Sequence, residues 1–500
     1  MARIVVIGAG LGGLAAAIRL QAAGHRVSLV EAGPRLGGRA GQIRDAGYTF
    51  DMGPTIITAP SLLEDLWRVA GRDLRAAVEL VPLRPYYQIR FRDGTRFEYG
   101  PDIEAEVARI SPRDVPGYRR FMADTEQIYH RAFEQLGRRP FHAWQEFARV
   151  GPELVRLGAH RSVYSFVSGY VRDEHLRCVL SFHPLFLGGN PFKSSAIYGI
   201  VPYLEQQGGV WFARGGMHAL VEAMGRLFAE IGGEIRCGES VSEILAAGGR
   251  AAGVRLAGGA ALPAEVVVSN ADVTTTYEKL LPPAHRGRHA GRRLDRYSYS
   301  MSCFLLYLGL DRQYPHLRHH TILMPRDYRG VVEGIFKRRL CEDDLAVYLH
   351  APTRTDPSLA PPGGESIYAL VPVPNLAGTL TWPGAGDRLR DRVVRLLADE
   401  LGMDDLERHI AVEHRFTPLD FRDRLASFRG AAFSLEPTLL QSAYFRPHNR
   451  SARLPGLYLV GAGTHPGAGL PGVLLSAEIT AGLVTAERPA RTTPHLAGTR

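Results

Sequence analysis

The stretch RIVVIGAGLGGLAAAIRLQAAGHRVSLVEA, residues 3–32, constrains this chain more than any other. The apolar run Val5, Val6 and Ile7 stops at Gly8, as a strand buried on both faces of a parallel sheet does. Gly8, Gly10 and Gly13 then spell G-x-G-x-x-G at the start of an amphipathic helix, Leu11 to Ala23, which Gly24 closes; HRVSLVEA supplies a second strand. The whole is a βαβ unit. In that setting the first glycine permits the tight turn, the second lets backbone approach a pyrophosphate, and the third brings helix against sheet. Unpaired N–H groups and the positive end of the helix dipole then favour phosphate. Glu31, ending the second strand, can accept both ribose hydroxyls of an adenosine.

At 500 residues the chain exceeds what one hydrophobic core supports, so two or more domains are expected. Its 45% apolar and 22% charged residues are those of a folded globular protein. The net charge of +9 is carried almost wholly by arginine, since only Lys193, Lys279 and Lys337 are lysine. No basic run with interleaved aromatics is present, so nucleic acid is not an expected partner. Cys178, Cys237, Cys303 and Cys341 form no C-x-x-C pair, which argues against a zinc ribbon or dithiol centre and suits a reducing cytoplasm; no metal is expected. The N-terminus shares features with a secretory signal, but cleavage would remove the βαβ unit, so it reads as structure. The best candidate for a membrane span, Leu457 to Val484, contains His465, Pro466, Pro471 and Glu478 and is not read as one. The tail after Val484 lacks apolar periodicity and is expected to fray.

Further along, Tyr86 to Gly100 alternates around the turn pair Asp93-Gly94 and reads as a hairpin, the start of an antiparallel sheet. From Pro112 to Leu204 the pattern is mostly helical. After Gly208 it becomes turn, helix and strand. AEVVVSNAD is another buried strand, and Phe304 to Leu310 and Ala346 to His350 are further sheet strands. LYLVGAG, Leu457 to Gly463, returns to the strand-then-glycine grammar of the N-terminus. The fold expected is α/β: a discontinuous Rossmann-like dinucleotide domain (1–85, 205–300, 445–490), an antiparallel-sheet substrate domain (86–111, 301–444), and a helical membrane-facing insertion (112–204).

Two loops after Glu31 refine the cofactor. Gly37, Gly38 and Arg39 give a second close backbone approach and a cation for the pyrophosphate. Gly53, Pro54 and Thr55 form a rigid turn that could lie along a flavin ring. GAGTHPGAGLPGV, Gly461 to Val473, raises the question of what approaches its bare backbone so closely. Taken with GGRA, SNADV, SFHPLFLGGNPF (Ser181–Phe192), VWFARGGM (Val210–Met217), LHAPTRTDPSLAP (Leu349–Pro361) and FRPHNR (Phe445–Arg450), these motifs make the chain resemble, almost end to end, the bacterial-type phytoene desaturases of the flavin amine oxidase-like superfamily.

The resemblance implies FAD held by three separated segments. It implies that the C-terminal glycines Gly461, Gly463, Gly467 and Gly472 run under the isoalloxazine, with the helix start at Val473 facing the pyrimidine edge. There a helix N-terminus stabilises the negative charge of reduced flavin. Val241 is then expected to reach the adenine through its backbone. The implied substrate, phytoene, has no heteroatom, so its recognition must rest on apolar burial and tunnel shape; the stretches around Phe182–Gly189 and Met301–Leu310 could line such a tunnel. Each new double bond requires hydride transfer to flavin N5 and proton loss from the neighbouring carbon, with the flavin carrying the hard chemistry.

Glu146 is the candidate proton acceptor, with His183 as second choice. A bilayer-dissolved substrate implies docking at a membrane. Phe141, Trp144, Phe147, Leu154 and Leu157 follow helical spacing interrupted by Gly151-Pro152, and Arg138, Arg139, Arg149, Arg156 and Arg161 flank them, as in an interfacial segment. A core-facing helix pair explains the same pattern. The expectation is thus a cytoplasmic, peripherally membrane-associated enzyme that desaturates phytoene, with isomerisation, to neurosporene or lycopene, passing electrons to quinone or oxygen. Competing readings are a related carotenoid desaturase or isomerase acting on a hydroxylated or shorter chain, an amine or porphyrinogen oxidase, and a carotenoid-binding protein without flavin chemistry.

Overall fold

A computed structural model describes residues 1–286, 294, 296–382 and 384–488. Strand β1 (Arg3–Ile7), helix α1 (Leu11–Ala22) and strand β2 (Arg26–Glu31) form the expected βαβ unit. Their sheet has five parallel strands in the order 457–459, 266–269, β1, β2, 234–237. Strands from the start, middle and end of the chain therefore lie side by side: Val267 is in register with Val5 on one side and Leu457 on the other. The side chains of Val6, Leu29 and Val268 pack with Leu14, Leu220 and Leu474 from the covering helices. Helix Met217–Glu230 is started by Asp51, whose carboxylate accepts from the Met217 and His218 N–H groups at 2.7 and 3.2 Å.

The second large sheet has seven strands in the order 410–416, 302–310, 365–373, 347–350, 320–323, 87–90, 96–99, antiparallel except where 320–323 meets 87–90. The hairpin forms around the Asp93-Gly94 pair, with Gly94 at φ +90°. Strand Ser302–Leu310 is buried along its whole length because both faces are covered. Phe304, Leu306 and Leu308 pack with Val393 and Leu397 of helix Gly384–Leu401, while Cys303, Leu305 and Tyr307 face the other way. That two-residue alternation explains why the strand reads as one apolar run.

Helices fill 103–208. Helix Trp144–Arg156 runs straight through Gly151-Pro152, where the sequence suggests an interruption: Pro152 lacks a donor, but the ladder resumes and Leu157 donates to the Glu153 carbonyl at 2.9 Å. A second difference lies at the C-terminus. Helix Leu470–Glu487 starts three residues before Val473 and continues past Val484, so residues 485–487 are helical and 489–500 lie outside the described residues. By length and composition alone it could cross a membrane, but it packs on α1 and contributes Leu474, Leu475 and Ala477 to the nucleotide-side core.

Candidate active site

The C-terminal ends of β1, β2 and strand 266–269 open onto a cavity of about 900 Å³ that continues into the space between the seven-stranded sheet and the helices. Its first part carries the residues the sequence singles out. Gly8, Gly10, Glu31, Gly38, Arg39, Gly53, Pro54, Thr55, Val241, Gly463, Gly472 and Val473 all line it. Gly13, Gly461 and Gly467 do not; they act by letting other backbone come close. A Cβ on Gly13 would lie 2.0 Å from the Gly8 carbonyl, and one on Gly461, at φ +102°, 2.6 Å from Asn270 Oδ1. The question of what comes so near the bare backbone of the C-terminal glycines has the same answer at several of them. Protein does the excluding: Asn270 at Gly461, Val273 and Ser434 at Gly463, and the Gly467 carbonyl at Gly472.

Asn270 is the junction that sequence reasoning passed over. It ends strand 266–269 between the two glycine turns, donates from Nδ2 to the Gly8 carbonyl at 3.3 Å, and sits against Gly10, Gly12 and Gly461. Its neighbour Asp272 accepts from Thr274 N, Thr275 N and Ser434 Oγ. Burial pushes the Asp272 carboxyl up and pulls the Arg39 guanidinium down, and each is opposed by the other's charge. Arg39 donates from Nη2 to Ser427 Oγ at 2.9 Å, while its buried Nε has no partner among the described residues. An orphaned cationic donor beside three glycine turns is what an anionic diphosphate would complete. Glu31 is held at the adenosine end by the N–H groups of Ala9 (2.7 Å) and Gly33 (2.8 Å), which leaves acceptor capacity on both oxygens.

The glycine loop 461–467 is fixed from behind by Arg446 of FRPHNR. This side chain is 1% exposed and donates to the carbonyls of Ala462, Thr464, Leu435 and Gln441 at 2.7 to 3.2 Å. Thr55 opens a polar strip on the opposite wall: its Oγ1 bonds Tyr348 OH at 2.7 Å, which bonds His320 Nδ1 at 2.7 Å. His319, His320 and His350 gather there with nitrogens within 4.8 Å, a grouping the cysteine-based reading did not consider. Burial drives His319 down to about 3 and the other two also far below the usual histidine range, so the cluster is neutral at pH 7.

The second part of the cavity is apolar. Met301, Cys303 and Leu305 line it from one strand, Leu370 and Pro372 from the next, and Phe182 and Phe186 from the helical side. Both stretches proposed as tunnel walls thus contribute. Glu146 does not: it is exposed on helix Trp144–Arg156 and is absent from the lining, because only the Phe147, Val150 and Leu154 face of that helix turns inward. His183, the second choice, does line the cavity.

A family model for flavin containing amine oxidoreductases matches residues 11–485. The chain belongs to that family. Among flavin amine oxidoreductases it is 47% identical to a lycopene-forming phytoene desaturase of Pseudescherichia vulneris, over 97% of this chain and 99% of the relative. It is 46% identical to the lycopene-forming enzyme of Pantoea ananas, over 96% and 98%. It is 44% identical to a neurosporene-forming phytoene desaturase of Rhodobacter capsulatus, over 99% and 96%. Among solved structures, putrescine oxidase bound to putrescine superposes with a TM-score of 0.65 at 15% identity, covering 97% of this chain and 99% of that one. An oxidoreductase from Methanosarcina mazei gives 0.61 at 18%, covering 97% and 100%. These two share the fold, a flavin amine oxidoreductase fold of mixed α/β architecture. The cofactor of this family member is FAD, and the glycine turns, Glu31 and the unpartnered Arg39 Nε fit it.

Proposed function

We propose that the chain is an FAD-dependent phytoene desaturase that introduces double bonds by successive two-electron dehydrogenations, ending at neurosporene or lycopene. One observation carries the reading: a single cavity joins the dinucleotide-binding turns to a largely apolar chamber lined by Leu305, Leu370 and Phe186. Bound FAD supplies the acceptor for a hydride. The protein's part is to bind, orient and keep dry. Gly8, Gly10, Gly38 and Arg39 would hold the diphosphate, Glu31 the ribose and Val241 the adenine edge. Gly53–Thr55 and Gly463–Val473 line the same cavity and would hold the ring, where the N-terminus of helix Leu470–Glu487 would favour negative charge. Apolar walls contribute about 25 cal/mol per Å² of hydrocarbon buried and fix the chain's position relative to the ring.

The same reading divides the chain into the three parts given by its composition, and places the protein on the cytoplasmic side of a membrane with quinone or oxygen as final acceptor. Docking is supported by exposed Trp144, Val155 and Leu440, which adjoin the cavity-lining Phe147, Leu154 and Leu439, and by exposed Arg139, Arg149 and Arg156. Arg138 and Arg161 are otherwise engaged, with Glu478 at 2.7 Å and with the Ser165 carbonyl. The test is incubation of FAD-loaded protein with phytoene in liposomes, followed by chromatography. Coloured polyenes are expected; colourless output both in air and with quinone overturns the proposal.

A further inference from the structure

Resting on the desaturase reading, the geometry points to Glu205 as the proton acceptor of the dehydrogenation, with Tyr87 and His183 as its partners. Among the described residues, the wall of the apolar part of the cavity is broken by one carboxylate, Glu205; the others that line the cavity, Glu31, Glu239 and Asp272, belong to the nucleotide end. Glu205 and His183 are each 1% exposed. Tyr87 OH donates to Glu205 Oε1, whereas Oε2 lies 3.4 Å from His183 Nε2 and makes no hydrogen bond among the described residues. Among the described residues neither ring nitrogen of His183 has a hydrogen-bond partner. In a chain with 60 lysines and arginines, Glu205 has none within ion-pair distance among the described residues. Such a group is expensive to bury, and packing gives no reason to keep it. The arrangement is tertiary: Tyr87 comes from strand 87–90, His183 from the turn 183–187 and Glu205 from helix 201–208.

The cluster stands close to the end of the cavity that holds the Gly53–Thr55 turn. The Tyr87 ring is 6.0 Å from His320 and the Phe186 ring 6.2 Å from Tyr348, and these lead by hydrogen bonds to Thr55. The titratable groups facing Glu205 are Tyr86, Tyr87 and Tyr99 from the sheet and His183 from the helical side. Burial and the Glu205 charge push the Tyr87 and Tyr99 phenols far up, so Tyr87 remains a donor throughout the working range.

In the step, one hydrogen leaves a saturated carbon as hydride, its electron pair reducing the bound flavin. The neighbouring carbon loses a proton to Glu205 Oε2, and the electrons of that C–H bond become the new π bond. The substrate is oxidised by two electrons, the flavin reduced by two, and the carboxyl now carries the proton. Passing it to His183 Nε2 restores the carboxylate.

The experiment is anaerobic single turnover of FAD-loaded protein with phytoene in vesicles, following flavin bleaching from pH 6 to 9. Glu205→Gln is expected to keep its flavin absorbance and slow bleaching by about 10²- to 10⁴-fold, with Glu205→Asp partly recovering it. An acid-side fall in rate is expected for the natural protein and not for Glu205→Gln. A Glu205→Gln protein bleaching within about 3-fold of the natural one, with the same pH profile, overturns the assignment. If that variant loses its flavin, Tyr87→Phe decides: removing the hydrogen bond to the carboxylate should change the pH profile of bleaching, and an unchanged profile overturns the assignment. Absence of bleaching in the natural protein would instead sink the desaturase reading itself.

Discussion

Replacing Arg446 with lysine tests whether the glycine loop is held from behind. The guanidinium makes four hydrogen bonds to carbonyls of two segments, 435–441 and 462–464, from a site 1% exposed. Lysine keeps the charge but offers donors from a single atom, which cannot reach carbonyls spread around a planar fork. Two bonds at most survive. Losing two charge-assisted bonds at roughly 1.5–3 kcal/mol each costs about 3–6 kcal/mol. With an unfolding entropy of roughly 2 cal/mol/K per residue, this lowers Tm by about 3–6 °C. Because the loop forms a cavity wall, part of the cost reappears when FAD must order it, and FAD affinity should fall roughly ten- to a hundredfold, about 1.4–2.8 kcal/mol. Thermal denaturation and fluorescence titration of the apoprotein with FAD measure both. Exposed Arg156→Lys is the control, expected to change neither. An Arg446→Lys protein with unaltered Tm and FAD affinity would refute the argument that these carbonyls need the fork.

Gly13→Ala should yield protein without flavin, since the new Cβ meets the Gly8 carbonyl at 2.0 Å; Gly482→Ala, with open space around it inside helix Leu470–Glu487, should stabilise by about 0.5–1 kcal/mol, and urea melts that rank the two the other way would contradict the packing described. Acid should weaken the fold early. His319 and His465 titrate at about 3 when folded and at about 6.5 when unfolded, so as pH falls below 6.5 the unfolded chain takes up protons that the folded one refuses. At pH 5 each costs about 2 kcal/mol, and stability that does not fall between pH 7.5 and 5 in denaturant titrations would remove this account. Liposome flotation should show binding to anionic vesicles that weakens when Arg139, Arg149 and Arg156 are neutralised together or Trp144 becomes serine; no flotation of the natural protein ends the docking proposal.

What could be read from residue order was what local spacing dictates. The unit from Arg3 to Glu31 lies within one residue of its expected bounds because its strand, turn and helix signals are contiguous. The hairpin at Asp93-Gly94 and the apolar strand at 302–310 were legible for the same reason. Asn270, Arg446 and Glu205 escaped because each acts through partners distant in sequence: Gly8 and Gly461 for the first, carbonyls of two loops for the second, Tyr87 and His183 for the third. A single asparagine after a strand, or a glutamate in a helix, carries no local sign of such a task. Glu146 drew notice by its place in a helical insertion, yet which face of that helix turns inward is settled by packing against Tyr444 and Phe445.

Strand β1 borrows one neighbour from residues 266–269 and, beyond it, another from residues 457–459. On a ribosome moving at roughly 5–20 residues per second, the nascent N-terminus therefore waits tens of seconds before the edge of its own sheet exists. During that interval an apolar strand edge is open to wrong partners, and the nucleotide fold has neither Gly461 against Asn270 nor the final helix over α1. Yield in a heterologous host should therefore track translation speed and chaperone capacity across that interval.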